Sequence, residues 1–163
     1  MKKWLKRLLL LGLILFFGYL VYLNHLVKGA FSSGIQSSDT INQIETPIEK
    51  YPKEMVNMLL LIEDQLFFQH WGVDFKEIVR VFYGYFFEDK NIRGASTITQ
   101  QLIKNTLLSR DKNLSRKINE AFMAMLMELN YDKNYILERY MNTVYLAQQG
   151  SMALQGFASA SQF

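Results

Sequence analysis

Sixteen consecutive residues without a charge, Leu8 to Leu23 (LLLLGLILFFGYLVYL), constrain this chain more than any other feature. With Leu5 before and Leu26 and Val27 behind, the stretch approaches the 17–25 residues, roughly, that a helix needs to cross a bilayer. Trp4, Tyr19 and Tyr22 are amphipathic aromatics of the kind that settle at membrane interfaces. Lys2, Lys3, Lys6 and Arg7 precede the stretch and only Lys28 follows closely, so the positive-inside bias keeps the N-terminus cytoplasmic and exports the rest. A cleaved signal peptide shares this layout. Val27-Lys28-Gly29-Ala30 is a poor A-x-A-like cleavage site, however, which favours a retained anchor over residues 1–28. Residues 29–44, rich in Ser and Gly, read as a linker that lifts a folded part, residues 45–163, off the membrane.

The 163 residues allow one modest domain besides the anchor. Half the residues are hydrophobic and 14% aromatic, enough for a core. The net charge of +3 owes much to the N-terminal cluster, so it gives no reason to expect nucleic acid as a partner. The absence of cysteine excludes disulfides, thiolate metal sites and a cysteine nucleophile.

Beyond the linker the pattern is helical, and the expected fold class is mainly α. Pro52 can open a helix that carries Met55, Met58, Leu59 and Ile62 and runs into Glu63-Asp64. A second covers Phe75 to about Phe87, with Ile78, Val79, Phe82 and Phe86 on one side, before a charged loop from Glu88 to Arg93. Thr97 with Gln100 forms a capping-box signature for a third, buried through Ile98, Leu102 and Ile103. A fourth runs from about Leu114 to Asn130 and a fifth from Lys133 to about Leu146, and strand signals are weak throughout.

Two carboxylates occupy unusual places. Glu63 lies between Met58-Leu59-Leu60-Leu61-Ile62 and Leu66-Phe67-Phe68. That setting is expected to desolvate it, which raises a carboxyl pKa and suits proton transfer; the alternative is a solvated helix-end glutamate. Asp64 reads as a turn or cap residue. Glu120 precedes the seven apolar residues AFMAMLM, in a helix that must be buried nearly all round, with Arg116 at i−4 and Lys117 at i−3. This is either a structural ion-pair cluster or an anion site. On the third helix Gln100, Gln101 and Lys104 gather near a helix N-terminus, which favours phosphate-like ligands, although surface polarity gives the same pattern. No Gly-rich phosphate loop is present. RVFYGYFF (Arg80–Phe87) reads mostly as core, with a remainder that could rest on the membrane interface. His70 and His25 lack ligand-spaced partners.

Taken in order, these residues resemble glycosyltransferase family 51, the peptidoglycan glycosyltransferase domain of bifunctional penicillin-binding proteins and of monofunctional transglycosylases. Its motif E-D-x-x-F-x-x-H-x-G is met by Glu63, Asp64, Phe67, His70 and Gly72, and G-x-S-T-I-T-Q-Q by Gly94 to Gln101. R-K-x-x-E is met by Arg116, Lys117 and Glu120. I-L-E-x-Y-L-N is met by Ile136, Leu137, Glu138, Tyr140 and Asn142, with Met141 in the Leu position. The segment after Asn142 looks more like the bifunctional branch.

The resemblance implies a lysozyme-like α-helical fold with a cleft between a head and a smaller membrane-touching part, where RVFYGYFF falls. It implies the polymerisation of lipid II, with inversion at the anomeric carbon and loss of undecaprenyl pyrophosphate. Glu63 matches the general base and Glu120 the second essential carboxylate. Ser96, Thr99, Gln100, Gln101, Lys104, Arg116 and Lys117 match positions that meet sugar and pyrophosphate. No cofactor is required; a divalent cation, Mg or Mn, assists in the family, but no protein metal cage is readable here. Implied partners are lipid II and the growing glycan, the bacterial inner membrane and other cell-wall synthesis proteins. Two readings compete: a non-catalytic membrane scaffold, and a lysozyme-like hydrolase that attacks with water. Ala147 stands where the family usually has Gly. The family pattern also continues past the position of Phe163, so this sequence reads as a truncated or partial chain that alone is expected to be poorly stable and weakly active or inactive.

Overall fold

The computed structural model describes residues 2–32, 45–87, 96–109, 111, 113–149 and 152–160. In chain order the elements are α1 (Lys2–Phe31), a 3-10 turn (Ile48–Lys50), α2 (Lys53–Glu63), α3 (Phe75–Phe87), α4 (Ile98–Leu107), α5 (Leu114–Asn130), α6 (Lys133–Thr143), β1 (Tyr145–Gln149), β2 (Met152–Gln155) and α7 (Phe157–Ala160). The fold class is mainly α, as the sequence led one to expect.

Helices α3 to α6 start where side chains satisfy the first orphan amides, whereas α2 starts at Pro52 without a side-chain cap. Thr97 Oγ1 accepts from Gln100 N at 3.1 Å while Thr97 N donates to Gln100 Oε1 at 3.2 Å, the reciprocal capping box read in the sequence. Asn113 Oδ1 accepts from Arg116 N at 2.7 Å to start α5, and Asp132 Oδ1 from Tyr135 N at 2.8 Å to start α6. Asp74 Oδ1 accepts from the amides of Lys76 and Glu77 at the head of α3.

The core joins Ile98, Leu102 and Ile103 of α4, Met123, Ala124 and Met127 of α5, and Ile136, Leu137, Tyr140 and Met141 of α6. None of residues 121–127 is exposed, in line with a helix buried nearly all round. Leu23, Val27 and Phe31 of α1 enter the same core. The apolar N-terminal helix therefore runs past residue 28, and its last turns are packed rather than free. Residues 33–44 of the expected linker, like the charged loop from Glu88 to Arg93, lie outside the described residues.

One element differs from expectation. The fifth sequence helix ends at Thr143, and Tyr145–Gln149 pairs antiparallel with Met152–Gln155, with a register irregularity between Tyr145 and Ala147. Thr143 and Val144 are β-branched and crowd a helical turn. Thr143 Oγ1 bonds back to Arg139 O at 2.6 Å, and Val144 is already extended. Gly156 closes the hairpin at φ +78°, where a Cβ would lie 2.5 Å from Asn142 O, so glycine alone fits.

Candidate active site

Glu63 is the last residue of α2. It is exposed, which corrects the expected desolvation: Met58, Leu61 and Ile62 around it also face outward, and α2 meets the core through Met55, Val56, Leu59 and Leu60. What orients Glu63 is an amide. Gln101 Nε2, in the first turn of α4, donates to Glu63 Oε2 at 2.9 Å, and Gln101 Oε1 accepts from Tyr140 OH at 3.1 Å. The solvated helix-end reading thus describes its burial, while the chain Tyr140–Gln101–Glu63 fixes its direction.

Asp64, one residue on, is buried. Its Oδ2 accepts from Ile98 N at 2.9 Å, and both its oxygens lie within 3.1 Å of His70 Nε2. The cap expected of Asp64 is therefore for α4, whose dipole favours an anion there. The loop between Asp64 and His70 buries Phe67, with Lys133 Nζ 4.4 Å from its ring centroid. Gly72 O accepts from Thr97 Oγ1 at 2.6 Å. The first motif is thus bolted to the second.

The other carboxylate is built differently. Glu120 is 1% exposed. Its Oε1 pairs with Lys117 Nζ, which also donates to Ser96 Oγ at 2.8 Å. Among the described residues, Glu120 Oε2 is buried with no partner, and so is Arg116 Nε one turn away. A buried carboxylate oxygen and a guanidinium N–H left unsatisfied on one helix face are costly, and such groups mark positions where a ligand completes the bonding.

Ser96–Gln101 lies between the two carboxylates, touching the Lys117–Glu120 pair at one end and Glu63 at the other. Lys104 is half-buried one turn further along α4 and makes no ion pair among the described residues. Thr99 and Gln100, expected to meet substrate, point inward. Thr99 Oγ1 donates to Glu128 Oε1 at 2.7 Å, and Gln100 completes the capping box. The two ends of this turn (Ser96, Gln101) therefore face the site, while the residues between them (Thr97, Ile98, Thr99, Gln100) serve the fold. Gly94 and Ala95 lie outside the described residues.

The fourth motif is structural. Glu138 Oε2 accepts from Ile48 N at 2.8 Å; Asn142 Oδ1 accepts from Thr46 N and from Tyr51 OH, and its Nδ2 donates to Thr46 O. These bonds strap the segment before α2 onto α6. Tyr140, from the same motif, is the site residue that sequence reading missed; its position three residues from the buried Leu137 hid a hydroxyl aimed at Gln101. Among the described residues no three His, Asp or Glu side chains converge to hold a metal.

Burial first, and the negative charge of Glu63 second, hold the Tyr140 phenol above its ordinary value of 10.0. The unfolded chain gives up that proton first. The stability Tyr140 confers is therefore complete below about pH 10 and is lost as the pH climbs toward the folded value. Unfolding followed against pH is expected to steepen above pH ~10 in the native chain and to be shallower in Tyr140→Phe. Some slope remains in the variant, because burial also raises the phenols of Tyr51 and Tyr131.

Comparison with known proteins agrees with the four motifs. The model of the family described as Transglycosylase matches residues 22–163. Penicillin-binding protein 1B of Haemophilus influenzae is 40% identical over 126 residues, which is 77% of this chain and 16% of that protein. Penicillin-binding protein 1B of Escherichia coli is 40% identical over 129 residues, 79% of this chain and 15% of that one. Penicillin-binding protein 1A of Neisseria lactamica is 43% identical over 117 residues, 72% and 14% respectively. The chain thus spans about one-sixth of the length of these curated relatives. With the family model covering all but the first 21 residues, the chain belongs to the transglycosylase family.

Proposed function

We propose that this chain carries the glycosyl-transfer site of a peptidoglycan polymerase, acting on lipid II at the outer face of the bacterial inner membrane. Family membership implies a glycan substrate. The observation that supports the finer reading is a pair of buried groups without partners among the described residues, Glu120 Oε2 and Arg116 Nε, beside the Lys117–Ser96 contact. An anionic ligand with its own acceptor and donor atoms, such as a pyrophosphate linked to a sugar, completes such a set.

In this reading Glu63 takes the proton from the 4-hydroxyl of the incoming lipid-linked disaccharide as that oxygen bonds to the anomeric carbon of the growing chain. The bond from that carbon to the pyrophosphate oxygen breaks with inversion, and undecaprenyl pyrophosphate leaves as an anion. Exposure of Glu63 gives the incoming acceptor access, and the Gln101 amide aims its carboxylate. Arg116, Lys117 and Lys104 offset the charge that gathers on the leaving group. The transfer needs no cofactor. The N-terminus lies in the cytoplasm and the domain outside, and the exposed Phe75, Val79 and Tyr83 of α3 rest on the membrane. A hydrolase would have little use for this cationic surface.

The test is polymerisation of fluorescent lipid II by the chain in detergent, beside Glu63→Gln, together with thermal unfolding in the presence of undecaprenyl pyrophosphate. The expected result is chain growth that falls by a factor on the order of 10³ in the variant, as the loss of a general base requires. Unfolding should shift upward with the ligand in both forms. Absence of growth in the native chain together with absence of a shift would reject the reading.

A further inference from the structure

We propose that the first two turns of α1 form a binding surface for anionic phospholipid headgroups, in the leaflet that holds the N-terminus. The proposal rests on α1 crossing the bilayer and is independent of the transfer reaction.

Lys2, Lys3, Lys6 and Arg7 all belong to the start of α1. At about 100° and about 1.5 Å per residue, the four positions fall within an arc of about 140° and about 7.5 Å along the axis. Trp4 and Leu5 take the rest of the circumference. Lys3, Lys6 and Arg7 are exposed, and none of them has an acidic partner among the described residues. The helix itself contains no Asp or Glu, and the first acidic residue of the sequence, Asp39, comes after the uncharged run. Four like charges this close repel one another, and the positive end of the helix dipole adds to the cost. Nothing in their own segment offsets that repulsion, so the counter-charge comes from outside the chain.

The neighbours of the cluster say where that counter-charge sits. Trp4 is 68% exposed and Leu5 64% exposed, both among the cations, and the uncharged run begins at Leu8. Apolar side chains at this density hold the backbone at the membrane interface. The charged ends of Lys3, Lys6 and Arg7 then reach the depth of the headgroup phosphates while their stems stay in the apolar layer. A phospholipid meets such a surface with its phosphate and its acyl chains together, which a soluble acidic protein cannot do. Four basic residues directly beside a span are the pattern that gathers anionic lipid, through attraction that adds up residue by residue. The far end of the helix is different. Lys28 is the only Lys or Arg between Arg7 and Lys50, so the preference belongs to one leaflet.

The test uses the full chain in vesicles with the same composition in both leaflets, so the direction of insertion does not enter. The chain has two tryptophans, and Trp71→Phe, at a position 69% exposed, leaves Trp4 as a reporter inside the cluster. Quenching of Trp4 is measured in equal parts of phosphatidylcholine and phosphatidylglycerol, with bromine on the chains of one lipid or of the other. At low salt Trp4 is expected to find phosphatidylglycerol enriched over its bulk share by a factor on the order of five. The factor should fall toward one in about 1 M salt, where charges are screened within about 3 Å. At low salt it should also fall to about one when Lys2→Gln, Lys3→Gln, Lys6→Gln and Arg7→Gln are combined. It should persist when Lys2→Arg, Lys3→Arg and Lys6→Arg are combined, since these keep the charge. Soluble glycerol phosphate should lower it no further than sodium chloride of equal ionic strength; a larger drop would assign the surface to phosphate alone and overturn the lipid. No enrichment in the native cluster at low salt would overturn the proposal and leave the cations to an acidic protein or to orientation. Enrichment that survives the Gln substitutions would overturn it too, as would the absence of quenching by either brominated lipid, because Trp4 would then lie outside the bilayer. None of these failures touches the transfer reading, whose readout is chain growth.

Discussion

Glutamine at position 120 is expected to slow chain growth by a factor on the order of 10²–10³ and yet leave the melting temperature unchanged or higher. Glu120 is 1% exposed with one oxygen unpaired, so its ionised form is held in the fold at a desolvation penalty that Lys117 offsets on one side only. Gln keeps the shape, still accepts from Lys117 through its amide oxygen, and removes the buried charge. The fold therefore has little to lose. The site has much to lose, because the negative charge that sets Lys117 in place is gone; removing one group of such an electrostatic set lowers turnover by a factor on the order of 10²–10³. Polymerisation and thermal unfolding measured on the same preparation check both halves. A variant that melts far lower would show that Glu120 is chiefly a structural ion-pair partner, the reading its sequence context also allowed.

Alanine at position 72 is expected to do the reverse, removing the fold before the chemistry. Gly72 has φ +80°, a conformation in which a Cβ is strained, and the added atom would sit 2.6 Å from both C and O of Ala124, in the middle of α5. Backbone cannot rotate away as a side chain tip can, so α5 or the loop must move. Strain and overlap together amount to about 3 kcal/mol or more, a large share of a typical domain's stability of roughly 5–15 kcal/mol. The same movement breaks the bond from Thr97 Oγ1 to Gly72 O. Loss of soluble, folded protein, or a melting point lower by many degrees in detergent, is the expected observation. A melting point within a degree or two of the native chain would show that the loop is not held against α5.

Helix positions were legible because they rest on local signals. Pro52, the Thr97–Gln100 box and the apolar spacing on α4 and α5 all act within one or two turns, and the structure follows them closely. The end of α6 was not legible, since the spacing that built the helix continues through Leu146, while the deciding facts are β-branching at Thr143 and Val144 and pairing with a strand further along the chain. Site residues divided in a similar way. Which carboxylates stand out could be read from their apolar surroundings. Which one is buried could not, because that depends on partners brought from other helices: Glu120 is packed within α5, while the apolar neighbours of Glu63 turn outward. Asp64 shows the limit most clearly. Its capping role was foreseeable from residue type, but its recipient, Ile98, is 34 positions away.

The division of Ser96–Gln101 between inward and outward residues has a consequence for any small molecule that competes for this site. Its positions answer to different constraints: Thr97, Thr99 and Gln100 hold the helix to the core, while Ser96 accepts from Lys117, the partner of Glu120, and Gln101 donates to Glu63. A compound gripping this turn through its outward side chains and backbone would leave the cell few routes of escape. In the proposed function, a change at an inward residue weakens the domain and a change at an outward one slows the transfer. The turn is thus a stretch where resistance and fitness are set against each other at consecutive residues.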